Sequence, residues 1–313
     1  MSPRNLAIGM VFLSQTVAGV FGNLSLLYHY LFLYCTGGRL RSTDLIIKHL
    51  LVANSLVLFS NGVPRTMAAL GWKQFPSDVG CKLLFYLHRV GRGVCIGSTC
   101  LLSIFQVITI SPRSSRWAEL KVKAPRYIGL SISLCWLLFM LVNIIFPMHI
   151  TGNWRNDTIK AEKDYGYCSS KFHNKITVSL YAALLSFPDA LCLGLMLWAS
   201  GSMVSILYRH KQQVQHIHRT SLSPRSSPES RATQTILLLV STFVTFYTLF
   251  SICQFCIAVF DNPSLKPVNM AALFSACFPT VSPFVFMGRD SSVSRLCFAW
   301  VRNTKLPNLI RNT

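Results

Sequence analysis

Residues 81 to 112 read CKLLFYLHRVGRGVCIGSTCLLSIFQVITISP, and the length of this apolar run decides the fold. As an α-helix, the 28 residues from Leu83 to Ile110 would rise roughly 42 Å, more than the ~30 Å hydrocarbon core of a bilayer. Two arginines inside such a helix are costly to bury unless they face a bundle interior or a wet cavity, so Arg89 and Arg92 mark a functional face. The stretch reads as the central helix of a membrane protein with several spans.

The rest of the chain agrees. Of its 313 residues, 51% are hydrophobic and 13% charged, against roughly 25% charged in an ordinary soluble domain. Ten acidic residues are too few to solvate a globule of this size. A net charge of +20 would suit nucleic acid only if the basic residues formed one face of a soluble fold; here they lie between apolar runs, which excludes that class. Seven segments meet the spanning criterion, at about 6–34, 45–63, 83–110, 127–148, 176–208, 232–260 and 267–288. Four are free of formal charge; the others carry Lys48, the two arginines and Asp189. The fold expected is an all-α membrane protein, a single seven-helix transmembrane domain over 1–313 with a short cytoplasmic tail, 289–313.

Only MSPRN precedes the first apolar run, which is too long for a cleaved signal and reads as a signal-anchor helix. With the N-terminus outside and the C-terminus inside, the inner segments hold 17 lysines and arginines and the outer ones 10, as the positive-inside rule prefers. A glycosylation acceptor at Asn156 (Asn156-Asp157-Thr158) lies in the loop after the fourth span and agrees with that orientation. The inner surface is basic. Its second loop supplies Arg113, Arg116, Lys121 and Lys123, which, with Gln106 at the inner end of the third helix, are candidates to face a cytosolic partner. The tail, with Cys297 among apolar and basic residues, suits a short helix on the inner membrane surface.

Most of the eleven cysteines lie within apolar runs, where a thiol packs as a small hydrophobe. Cys81 and Cys168 sit at outer ends or loops and are the disulfide candidates; their bond would draw the polar loop 149–175 across the mouth of the bundle. No catalytic or metal constellation is present: the spans hold one carboxylate, Asp189, and the Cys253-x-x-Cys256 pair stands without a second pair. No cofactor is implied. His88 and Arg92 are four residues apart and share a helix face, with Arg89 beside it. Either this face lines a ligand cavity, with Tyr181 of the fifth helix as a further candidate, or the arginines pair internally, with Asp189 as one acidic partner. Gly91, Gly93 and Gly97 would let neighbouring helices approach closely.

The blocks DLIIKHLLVAN, GCKLLFYLHRVGRGV, STCLLSIFQVITISPRSSRWAELKVKAP and FPTVSPFVFM resemble the vomeronasal type-1 pheromone receptors, within the rhodopsin-like G-protein-coupled class. Asn23, Trp136 and Pro188 match anchors of that class, whereas Asn54 stands where the class has Asp. Phe105-Gln106-Val107 replaces Asp-Arg-Tyr, and Ser282-Pro283-Phe284-Val285-Phe286 replaces Asn-Pro-x-x-Tyr. His88 occupies the position at which amine receptors carry an Asp, which disfavours cationic amines and favours neutral or anionic molecules. The resemblance implies a chemosensory receptor for pheromone-like odorants at the plasma membrane, multi-pass and glycosylated, signalling through an inhibitory-type heterotrimeric G protein. A transporter or channel is the rival from another class, disfavoured by the lack of repeats. A bitter-taste-like receptor is the rival within the class.

Overall fold

A computed structural model describes residues 3–38, 41–72, 77–111, 118–144, 146–152, 163–164, 168–170, 175–217, 228–259 and 265–289. Seven long helices follow one another: α1 (Pro3–Cys35), α2 (Ser42–Ala69), α3 (Asp78–Ile110), α4 (Ala118–Asn143), α5 (Lys175–Ile217), α6 (Pro228–Val259) and α7 (Leu265–Arg289). All seven are long and apolar enough to cross a membrane. Phe21, Tyr28, Leu130 and Phe255 are each more than half exposed. On a water-soluble protein they would be a liability; on a membrane bundle they are the lipid-facing coat.

Several helix ends have a local reason. Ser77 caps α3, accepting from the Gly80 backbone N–H at 3.2 Å, and Asp78 in its first turn pairs with Lys82 at 2.8 Å. At the start of α2, the Asp44 carboxylate accepts from the Arg41 backbone N–H at 2.7 Å. Both α1 and α2 end in a left-handed glycine, Gly37 (φ 70°) and Gly71 (φ 95°). The chain then doubles back, with Gly38 N–H on the Leu33 carbonyl and Trp72 N–H on the Met67 carbonyl; the lack of a Cβ is what permits this closure. α4 stops at Asn143 rather than running to residue 148, because Pro147 cannot donate to the Asn143 carbonyl; a 3-10 turn, Phe146–His149, follows. α2 continues six residues beyond the expected 63, through Pro64, and α5 runs nine beyond 208.

The bundle is helical as expected, with one addition outside the spans. Three short strands, β1 (Ile150–Gly152), β2 (Lys163–Asp164) and β3 (Cys168–Ser170), form an antiparallel sheet in the order β1-β3-β2. They lie in the loop after α4, whose polar residues have no lipid to face and no helical period, so the backbone satisfies itself by local pairing. Gly152 pairs with Cys168, and Cys168 is bonded to Cys81. Both cysteines are fully buried, and the sheet is thereby fixed to the first turn of α3.

α3 is the axis of the bundle. The most apolar window of α3 is 72% buried, against 17% for α4 and for α5, and α3 packs on α2, α4, α5 and α6. Its glycines make this possible. A Cβ on Gly91 would sit 3.1 Å from Val57 of α2; on Gly93 it would overlap the Phe139 ring of α4, and on Gly97 the Cys135 sulfur. The small residues therefore serve two neighbours on two faces.

Candidate ligand site and polar core

Arg92 reaches from the middle of α3 towards α5 and α6. Its Nη2 donates to Asp189 Oδ2 at 2.9 Å, and the Tyr247 hydroxyl of α6 donates to the same oxygen at 3.1 Å. The guanidinium also lies over the rings of Phe250 (5.1 Å) and Tyr247 (5.9 Å), the planar stacking for which arginine is suited. One carboxylate thus joins three helices. The Asp189 side chain is only 4% exposed, whereas that of Arg92 is 20% exposed. Among the described residues Asp189 is the only hydrogen-bond partner of Arg92, so N–H groups of the guanidinium remain available to a visitor. Of the two readings open for this face, internal pairing is realised for Arg92, and it leaves part of the group accessible.

The neighbouring polar side chains diverge. Arg89 Nε donates to Asn143 Oδ1 at 2.9 Å, and Asn143 in turn donates to the Phe139 carbonyl at 2.8 Å, so Arg89 ties α3 to the end of α4. His88 lies beside Val57 of α2 and within electrostatic reach of Arg65, Arg89 and Arg92. Its buried Nδ1 has no hydrogen-bond partner among the described residues. Tyr181 falls in α5, but its side chain lies outside the described residues, as do Arg113, Arg116, Asn156 and Cys297.

A residue missed in the sequence stands opposite this face. Arg65 is 9% exposed; its Nε donates to Asn61 Oδ1 at 2.9 Å and its Nη1 to Asn269 Oδ1 of α7 at 3.0 Å, with the guanidinium over the Phe12 ring of α1 at 5.8 Å. In the sequence, Pro64 and the arginine itself break the apolar run, and this is why the expected second span stops at 63. The signal was nevertheless there: Asn54, Asn61 and Arg65 recur at seven and four residues, one face of a helix.

Below these groups a neutral hub fastens four helices. Asn54 Nδ2 donates to Asn23 Oδ1 at 3.0 Å and to Ser282 Oγ at 2.9 Å, while Oδ1 accepts from the Cys95 thiol at 3.1 Å. Asn23 Nδ2 donates to the Pro279 carbonyl at 2.8 Å. That carbonyl would bond the N–H four residues on, which Pro283 lacks, so an asparagine on α1 supplies the donor the α7 backbone is missing. Nearer the other end, Gln106 is 5% exposed and donates to Thr233 Oγ1 of α6 at 3.0 Å. Access to Gln106 would require α3 and α6 to part. Lys121 and Lys123 lie in the first turns of α4, half-buried and exposed respectively.

No group of three or more His, Cys, Asp or Glu side chains among the described residues could hold a metal. The site is a membrane-embedded polar junction with aromatic walls, suited to binding and to conformational coupling.

Comparison with known proteins agrees with this architecture. The model of the vomeronasal organ pheromone receptor family matches residues 6–299. The chain is 64% identical over 302 residues to Vomeronasal type-1 receptor 4 of Homo sapiens, covering 96% of this chain and 100% of that protein. It is 56% identical over 313 residues to Vomeronasal type-1 receptor 3 of Homo sapiens (99% and 100%). It is 36% identical over 286 residues to Vomeronasal type-1 receptor 90 of Rattus norvegicus (91% of each).

Proposed function

Because the chain belongs to the vomeronasal type-1 pheromone receptor family and is a multi-pass plasma-membrane receptor, we propose that it senses a small neutral or anionic pheromone-like molecule within its helix bundle and signals through an inhibitory-type G protein. The observation that carries this reading is the Arg92–Asp189–Tyr247 junction. A ligand touching the accessible part of Arg92 perturbs a contact shared by α3, α5 and α6, and so can shift the balance between two arrangements of the bundle. His88 and Arg89 on the same helix, turned towards α2 and α4 respectively, and Tyr181 on α5 complete the set of candidate ligand-binding residues.

The N-terminus is outside and the C-terminus inside. Asn156 is then glycosylated, and the basic inner loops bearing Arg113, Arg116, Lys121 and Lys123 meet the G protein, with Gln106 joining them once α3 and α6 separate. The decisive experiment expresses the chain in cells with a cyclic-AMP readout and challenges it with small volatile and steroid-like compounds. Arg92→Met is expected to reach the surface and lose the response. Unchanged surface level together with an unchanged response would defeat the reading. For the topology, Asn156→Gln should remove a glycosidase-sensitive mobility shift on a gel.

A further inference from the structure

Resting on the ligand-site reading above, we infer that Asp189 sets the charge of the accepted ligand: by neutralising Arg92 it makes the site select uncharged molecules bearing a hydroxyl or carbonyl oxygen over oxyanions of the same skeleton. Arginines near the middle of a membrane bundle would by themselves suggest an anion, and Arg65 and Arg89 both act on His88. Their guanidiniums, however, are turned to Asn61 and Asn269 and to Asn143, which leaves Arg92 as the cation beside the rings of Phe250 and Tyr247. The geometry at Arg92 argues otherwise, because its guanidinium is already engaged at 2.9 Å by a carboxylate that is 4% exposed and held in place by the Tyr247 hydroxyl.

An incoming carboxylate or sulfate would have to shed its water beside a fixed negative charge or displace it, and a displaced Asp189 would be left buried without its cation. An uncharged oxygen meets neither cost. It accepts from a guanidinium N–H not used by Asp189, in a place where an unmade hydrogen bond is expensive, while its hydrocarbon body lies along Phe250 and Tyr247, the two rings beneath the guanidinium. Asp189 is thus a specificity-determining residue that acts through Arg92. Tyr247 is a positioning residue that holds the carboxylate.

The test uses the full-length chain in cells, surface labelling, a cyclic-AMP readout and a panel of alcohol–carboxylate pairs, each pair sharing one carbon skeleton. Wild type is expected to respond to the alcohols at concentrations lower by about tenfold or more than to their carboxylate partners, corresponding to about 1.4 kcal/mol or more. Asp189→Asn, which leaves Arg92 uncompensated, should reverse that order; Asp189→Glu and Tyr247→Phe, which keep the charge, should preserve it. A wild-type preference for carboxylates overturns the inference without recourse to any variant, as does a surface-expressed Asp189→Asn that keeps the wild-type order. Arg92→Met separates the two levels. If it silences both members of each pair while Asp189→Asn changes nothing, only the charge filter fails; if Arg92→Met responds as wild type, the ligand site itself fails.

Discussion

Asn54 shows how a single amide can replace a charge in the middle of a membrane protein. It is fully buried, and its two donors and its acceptor all have partners, on α1, α7 and α3. Removing it leaves Asn23, Ser282 and Cys95 facing a hole in hydrocarbon, at a cost of about 1–3 kcal/mol for each unsatisfied group. Asn54→Ala should therefore lower the thermal midpoint of the detergent-solubilised receptor by several degrees and reduce its surface level. Asn54→Asp keeps the shape but removes the two N–H donors and places a carboxylate beside Asn23 Oδ1, so it should be at least as damaging as the alanine. Gly93 makes the opposite point. Even an alanine Cβ there would overlap Phe139, and overpacking of this kind costs about 1–3 kcal/mol. Gly93→Leu should lose most surface expression, and Phe139→Ala in the same chain should restore part of it, as radioligand-free surface labelling would register.

At the scale of elements, α7 has two internal prolines, Pro279 and Pro283, and survives as a helix because other elements repair it. The Asn23 donation to the Pro279 carbonyl defines a coupling that a double-mutant cycle can read. Asn23→Ala orphans the carbonyl, whereas Pro283→Ala restores the backbone donor, so the double variant should be more stable than the two single effects predict by about 0.5–3 kcal/mol. Additive effects in thermal unfolding would show that α7 finds another donor. The helices themselves were legible in the sequence because apolar length is a local property: all seven spans were found. Their ends were less so. The extra turns of α2 past Pro64 depend on Arg65 having Asn61, Asn269 and Phe12 to receive it, and those partners come from three helices. A proline next to an arginine looks like an exit from the membrane until the groups that solvate it are known.

For the whole molecule, the disulfide was readable by elimination, since two cysteines fall at the ends of spans or in loops rather than within them, and the structure bears it out. The arrangement around Arg92 was readable only as alternatives. Asp189 lies 97 residues away; periodicity tells which residues share a face of one helix, but not which face of another helix stands opposite. The strands β1 to β3 were not legible at all, because two- and three-residue pairings leave no alternating pattern. The bond between Cys81 and Cys168 closes a loop of 87 residues, and in the chain-entropy account such a crosslink contributes about 4.6 kcal/mol. Cys81→Ser, Cys168→Ser and the double variant should all fall to the same low surface level. A double variant worse than either single would mean that each thiol has a separate role.

That same bond has a topological consequence. Cys81 and Cys168 are 87 residues apart, and the interval contains nearly all of α3 and the whole of α4. A peptide bond cut anywhere in the interval, including the basic connection between the two helices, leaves both fragments covalently joined. The receptor cleaved there should migrate as one species on a non-reducing gel and as two after reduction, and it could be reassembled from separately encoded halves whose pairing is sealed by oxidation.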